Sequence, residues 1–351
     1  MTDSSTAADT DRSTGPPVAR EGVSGVRAGQ RSRWLSPRRI GALYLWALII
    51  VVFSLWKPSL FFSVQSAKGI ANGYAISAIA SLAVLIPLVA GVFDVSVGAT
   101  MTLSGVVVAK LLGETHLNLF VVLLLGVGVG VLVGLFNALI VVVLRIPSLI
   151  GTLAALGIID SVAVGVSGNQ TLSSTRLSGD FARTVAASNL AGFTRPVLYV
   201  LVLMVILGVV LEQTQLGRFM YAVGFNPASS RLAGLRVSLL QSGALVAGSV
   251  IGAFAGVVLA AQVSSASPGA GSSYLLPAFA AVFLGSTQFR ELRFNAWGTV
   301  VAVFMLGTGQ YGLLLVGAPQ WMPNVFQGAA LVTAIAVTQF GARGRLGQVG
   351  V

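Results

Sequence analysis

Apolar residues run along this chain in long blocks broken by short polar stretches. Leu, Val, Ile, Ala and Gly recur over about 18 to 25 residues at a time, the length a helix needs to cross about 30 Å of hydrocarbon at 1.5 Å per residue. In lipid every backbone N–H and C=O must be paired within the structure, so helices are the expected form. The pattern predicts spans at 40–56, 70–90, 95–112, 118–144, 148–166, 196–213, 238–262, 276–288, 296–316 and 324–340. The eighth, built on PAFAAVFLG, is short for a full crossing and predicts a broken or tilted helix.

Residues 1–38 are rich in Ser, Thr, Asp, Arg, Gly and Pro, carry no apolar periodicity and are expected to be a disordered basic tail. The first apolar block begins near Ile40 and is long enough to span, so it reads as a retained helix and not as a cleaved signal. The expected organisation is a tail at 1–38, a transmembrane domain at 39–341 and a short second tail at 342–351.

Composition agrees with this pattern: 55% of the 351 residues are hydrophobic and 9% charged, against about 25% charged in a soluble domain. No cysteine is present, which excludes disulfides, thiolate metal sites and a cysteine nucleophile. The one histidine, His116, is expected in an exposed turn beside Glu114. The formal charge of +11 does not point to nucleic acid, because seven of the 21 Lys and Arg fall in the first 39 residues, as a tail facing anionic lipid would have them. With the N-terminus inside, fifteen basic residues lie on the inner side and six (Lys57, Lys68, Lys110, Arg176, Arg183 and Arg195) outside. That bias predicts cytoplasmic N- and C-termini in a multi-pass plasma-membrane protein.

Glycines fall at intervals of four in Gly126, Gly130 and Gly134 and again in Gly248, Gly252 and Gly256, two flat seams on which another helix can pack closely. No G-x-x-x-x-G-K-[ST] loop occurs, so any ATP that drives this chain binds elsewhere. Paired carboxylates, a Ser/His/Asp set and metal-ligand spacing are also missing from the sequence, which argues against catalysis.

The stretch GRFMYAVGFNPASSRLAGLRV, residues 217–237, is the most informative. Asn226 is an N-cap type, Pro227 suits the first helical position and Gly234 suits the end, which predicts a short helix at about 227–233. Two uses are open for it: docking a cytoplasmic partner, or lying on the headgroups through Arg231 and Arg236. Asp94, in GVFDVSVGATM, either caps the following helix or faces a wet path; fully inside lipid a carboxylate costs roughly 2.5 to 3.5 kcal/mol. Ser96, Asn137, Asp160 and Gln262 join Asp94 as candidates for a translocation path, while Asn137 and Gln262 also suit hydrogen bonds between helices. Trp321 and Pro323 look like an interfacial anchor and a helix start.

Three stretches together resemble permease subunits of sugar-importing ABC transporters of the ribose, xylose and arabinose type. GVFDVSVGATMTLSGVVVAKL is similar to the family's G-G-I-D-L-S-V-G-S segment, and GLFNALIVVVLRIPSLIGTLAAL to its N-G-L…P-x-F-I-x-T-L-G segment. The stretch 217–237 is similar to its G-R-x-x-Y-A-x-G-x-N-x-x-A-A-R-L-x-G-I cytoplasmic loop. The likeness runs from about 70 to 340 and departs at QFRELRFN, residues 288–295. It implies an all-α membrane fold of about ten helices in two similar halves, a type II importer-like permease. It also implies a second permease chain, ATPase subunits that bind the ATP and Mg²⁺, and an external solute-binding protein. Gly217, Arg218, Asn226, Pro227, Arg231, Leu232 and Gly234 then correspond to the coupling-helix region. An ion-coupled secondary transporter is the alternative, with Asp94 and Asp160 its plausible ion-handling residues.

Overall fold

The computed structural model describes residues 41–288, 293–319 and 321–346; the basic tail 1–38, Arg290 and residues 347–351 lie outside the described residues. Helices α1 (Gly41–Trp56), α2 (Pro58–Phe61) and α3 (Val64–Val89) are followed by α4 (Val97–Glu114), α5 (Leu119–Ala138) and α6 (Ser148–Ser167), with a π turn, Leu139–Val143, prolonging α5. A folded connector holds a π turn at Leu177–Phe181, α7 (Ala182–Val185) and a hairpin of β1 (Ser188–Leu190) and β2 (Phe193–Thr194). Then come α8 (Arg195–Gln213), α9 (Gln215–Phe225), α10 (Pro227–Leu232), α11 (Val237–Val263), α12 (Leu275–Ser286), α13 (Ala296–Leu315) and α14 (Trp321–Leu346).

Seven of the described helices are long and apolar enough to cross a membrane: α3, α4, α5 with its π turn, α6, α8, α11 and α13. Helices α1, α12 and α14 occupy the three other expected positions, so the count of ten is reached only by adding them. With 12 residues, α12 rises about 18 Å, as the short PAFAAVFLG block led one to expect. Helix α14 runs on to Leu346, past the expected domain edge at 341.

Every span is apolar, so hydrophobicity cannot decide which helices lie inside. Side-chain size does. Helices α3 and α11, with runs such as AISAIASLA and GALVAGSVIGAFAG, are mostly buried, whereas α5, α6 and α8, richer in Leu, Val and Ile, are far less so. Between apolar surfaces in lipid the gain on association comes from close packing, which small residues allow. Both predicted seams do this. A Cβ on Gly130 would sit 2.5 Å from the Ser249 carbonyl oxygen and one on Gly134 2.5 Å from Val246 Cα, so α5 lies directly on α11. On α11 itself, Gly248 meets Ala83 and Pro87 of α3, and Gly256 would place a Cβ 2.0 Å from the Met101 carbonyl oxygen of α4.

Polar groups fasten the interior. Ser104 Oγ on α4 lies 2.7 Å from the Gly126 carbonyl and 2.9 Å from that of Ala253, bridging three helices. The helix ends separate into two faces, one carrying α9 and α10 and the other the β-hairpin. On the hairpin face Asn72 of α3 accepts from Thr194 N and donates to the Gly192 carbonyl. Arg176 donates to the carbonyls of Thr115 and Leu117 past the end of α4, and Arg195 to those of Arg183 and Thr184. These two arginines hold backbone together. His116 is exposed in the turn between α4 and α5, as expected.

Gly256→Val should lower the unfolding free energy in detergent by about 1 to 3 kcal/mol or more through overpacking. Gly128→Ala, where an added Cβ meets nothing within 4 Å, should be neutral or stabilise through helix propensity by up to about 1 kcal/mol. Thermal unfolding of the two variants side by side checks the pair.

Candidate coupling and translocation site

The α8–α9–α10 elbow follows from three local devices. Thr214 Oγ1 accepts from Gly217 N at 3.3 Å and starts α9. Gly217 must be glycine, since a Cβ there would lie 2.3 Å from the Leu211 carbonyl oxygen of α8. Asn226 Oδ1 accepts from Ser229 N at 3.0 Å, and Pro227 fills the first helical position. At the other end Gly234 has φ +84°, Gly234 N donates to Arg231 O and Leu235 N to Ser230 O, a Schellman ending. The expected helix 227–233 therefore closes one residue earlier, at Leu232.

This short helix stands clear of the rest. Leu232 is 92% exposed, Phe225 93%, and Arg218 and Arg231 are exposed as well. Phe225 was not among the sequence candidates. It precedes the N-cap, where an apolar residue commonly packs on the fourth helical residue; that residue here is Ser230, so Phe225 lacks its usual staple partner. This mismatch is the sequence signal that could have found it.

Helix α9 bears on the membrane helices at two points. Gly224 packs against the link between α3 and α4: a Cβ on it would lie 2.2 Å from the Val89 carbonyl oxygen, and one on Gly91, whose φ is +76°, would lie 2.9 Å from Gly224 Cα. Tyr221 OH donates to the Phe294 carbonyl, and the Arg293 guanidinium sits 3.5 Å from the centroid of the Tyr221 ring. Asn295 then caps α13, accepting from Gly298 N at 2.6 Å and donating to the Gln288 carbonyl at 3.2 Å. The end of the departing stretch QFRELRFN thus joins α9 to α13.

The same α3–α4 link carries Asp94. Its Oδ1 accepts from Ser96 N at 2.9 Å and Ser96 Oγ at 2.7 Å, and Asn137 Nδ2 of α5 donates to Ser96 Oγ at 2.7 Å. All three side chains are buried. The first turn of α6 holds the link too, with Ser148 Oγ on Phe93 N and Thr152 Oγ1 on Val95 N, both at 3.1 Å. The cap reading of Asp94 is thereby corrected: α4 begins at Val97 with Ser96 as N-cap, and Asp94 serves the Ser96 N–H ahead of the helix. Burial pushes the Asp94 carboxyl above the usual carboxylate range, an effect that the Ser96 hydrogen bonds only partly offset. Asp160 and Gln262 do not join this cluster. Asp160 is on α6 with its Oδ1 buried and without a hydrogen bond, and Gln262 is exposed at the hairpin-face end of α11.

Residues 66–335 match the profile of a family described as "Branched-chain amino acid transport system / permease component". The chain belongs to this permease family. The permease is 30% identical over 262 residues to a probable ABC transporter permease protein, y4mJ, of Sinorhizobium fredii, covering 75% of this chain and 78% of that one. It is 26% identical over 316 residues to the ribose import permease RbsC of Escherichia coli, covering 90% and 97% of the two chains. With the fructose import permease FrcC of Rhizobium meliloti it shares 29% identity over 313 residues, covering 87% and 86%. No solved structure matches significantly. Family membership makes the permease a multi-pass membrane transport subunit and not an ATPase, and both the α10 loop and the Asp94 cluster lie inside the matched region.

In this permease Asp94→Ala leaves the buried Ser96 N–H and hydroxyl without their acceptor and should cost about 1 to 3 kcal/mol of stability. Asp94→Asn keeps an oxygen at the Oδ1 position and should unfold within a few degrees of the unsubstituted protein. Thermal unfolding in detergent separates the two.

Proposed function

We propose that this chain is the channel-forming subunit of an ABC importer for a small neutral sugar, and that ATP and Mg²⁺ bind on a separate subunit docked at α10. The observation that carries the reading is α10 itself. Six residues capped at both ends, with Phe225, Arg231 and Leu232 turned outward, make a rigid projection whose apolar groups await a partner. The ribose and fructose import permeases among the relatives supply the substrate class. The α10 face is cytoplasmic in this reading, with both termini, and the hairpin face receives the solute from an external binding protein.

A second permease chain completes the channel. Helix α6 supports this, for it exposes Gly157, Ser161 and Gly165 at intervals of four, and an added Cβ on either glycine meets nothing within 4 Å. A flat face of this kind suits close approach of another helix, and Asp160 lies beside it. Transport then works by alternating access. ATP closure of the partners shifts α10, α9 moves with it, and the Gly224 contact carries that motion to the α3–α4 link. Ion coupling is the weaker reading, because Asp94 is buried inside one protomer and, among the described residues, hydrogen-bonded only to Ser96, away from any path to either face.

Two measurements test the proposal. Vesicles holding the permease, its ATPase and the binding protein should take up sugar only with ATP and only with the binding protein present; uptake without either rejects the scheme. Leu232→Ser and Phe225→Ser should each weaken ATPase binding by roughly 10- to 100-fold, the loss expected when one large apolar side chain no longer fills its pocket. Unchanged affinity in both would remove α10 as the docking element.

A further inference from the structure

Away from the Asp94 cluster, α3, α13, α14 and the turn before α12 enclose a cavity of about 200 Å³. Six of its lining residues bear hydroxyl or amide groups: Tyr74, Ser77, Ser273, Gln310, Asn324 and Gln327. None of the lining residues is charged. Ser273 and Asn324 are exposed and form a mouth, while Ser77 and Gln327 are buried and form a floor. The position of Gln310 five residues before the end of α13, and of Asn324 near the start of α14, sets the mouth on the hairpin face.

The walls are shaped. The Tyr74 ring lies against bare backbone at Gly307, where an added Cβ would come 2.6 Å from it, so the ring is held as a flat side. Gln310 Nε2 reaches the Pro323 carbonyl only at 3.4 Å. Among the described residues the amides of Asn324 and Gln327 make no hydrogen bond. The Gln327 side chain is 8% exposed and its amide opens onto the cavity, so it is available to bond a guest or water there. The space holds about six waters at roughly 30 Å³ each, or one small polyol in their place.

We propose that this cavity is a solute site within the permease itself, taking a neutral polyhydroxylated molecule of sugar size from the hairpin face. Uncharged donors and acceptors around an aromatic wall match a ring of hydroxyls without having to neutralise anything. The lining offers no cation for a phosphate or carboxylate and no anion for an ammonium group, so neither an amino-acid zwitterion nor a lipid phosphate is matched. The proposal rests on the sugar-import reading and deepens it, giving the solute a resting place between its delivery protein and the channel.

The chain has no cysteine, so Ser273→Cys places a single reporter thiol at the mouth. Full-length permease in vesicles, without binding protein, is labelled with a membrane-impermeant maleimide in the presence of D-ribose, D-fructose, L-arabinose, L-leucine or glycerol 3-phosphate. At least one of the three sugars should slow labelling saturably, and leucine and glycerol 3-phosphate should not. Adding Gln327→Leu should raise the half-protecting sugar concentration about tenfold, as expected for one lost hydrogen bond. Protection by leucine or glycerol phosphate alone overturns the proposal. Absence of protection by a sugar that the assembled importer does take up overturns it and leaves the transport reading standing. An assembled importer that hydrolyses ATP but takes up none of the three sugars overturns that reading, and the proposal with it.

Discussion

Of the two points at which α9 bears on the membrane helices, the backbone contact at Gly224 is the one that reaches the buried α3–α4 link. Gly224, two residues before the Asn226 cap, lies directly on the chain between Val89 and Gly91, and no side chain fits between them. Beyond that contact the α3–α4 link is fixed on every side: Asp94 to Ser96, Ser96 to Asn137 of α5, and Phe93 and Val95 to the first turn of α6. In the proposed cycle a displacement of α9 would therefore meet a stiff, hydrogen-bonded junction and be passed on to helices. Packed interiors shift between discrete arrangements and do not deform smoothly, which suits such a junction to transmission.

The interior on which this joint acts is assembled by size. Apolar side chains line nearly every span, so lipid and protein compete for them almost equally, and glycine, alanine and serine decide which surfaces meet. Helix α11 receives α5 along one seam and α3 with α4 along another. Small residues also recur on the exposed side of α6, the face assigned to the second chain. The same rule thus accounts for the protomer's packing and for the channel proposed between protomers.

Much of this was legible in the sequence wherever the cause is local. Block length gives the seven long apolar helices, and Asn226, Pro227 and Gly234 give α10 because capping depends on neighbours three residues away. Glycine spacing gives both seams, though not their partners. Legibility ends where distant segments meet. Asp94, Ser96 and Asn137 were each singled out, yet nothing in their spacing foretells one hydrogen-bonded cluster, and the cap assigned to Asp94 falls instead to Ser96. Phe225 falls at an open position of the loop motif, and Tyr221 and Gly224 match it without a role, because the meaning of all three comes from what lies opposite them. The polar cavity needs residues from Tyr74 to Gln327, a grouping that only the fold creates.

The most direct test of the account is the rate of sugar uptake by Gly224→Val permease reconstituted with its ATPase and binding protein, with ATP hydrolysis followed in the same vesicles. The added side chain must push α9 off the Val89 carbonyl while leaving α10 and its exposed residues intact. The account predicts that the ATPase still docks and hydrolyses ATP while uptake falls at least about tenfold, which corresponds to about 1.4 kcal/mol of lost coupling. Uptake at the unsubstituted rate would contradict it.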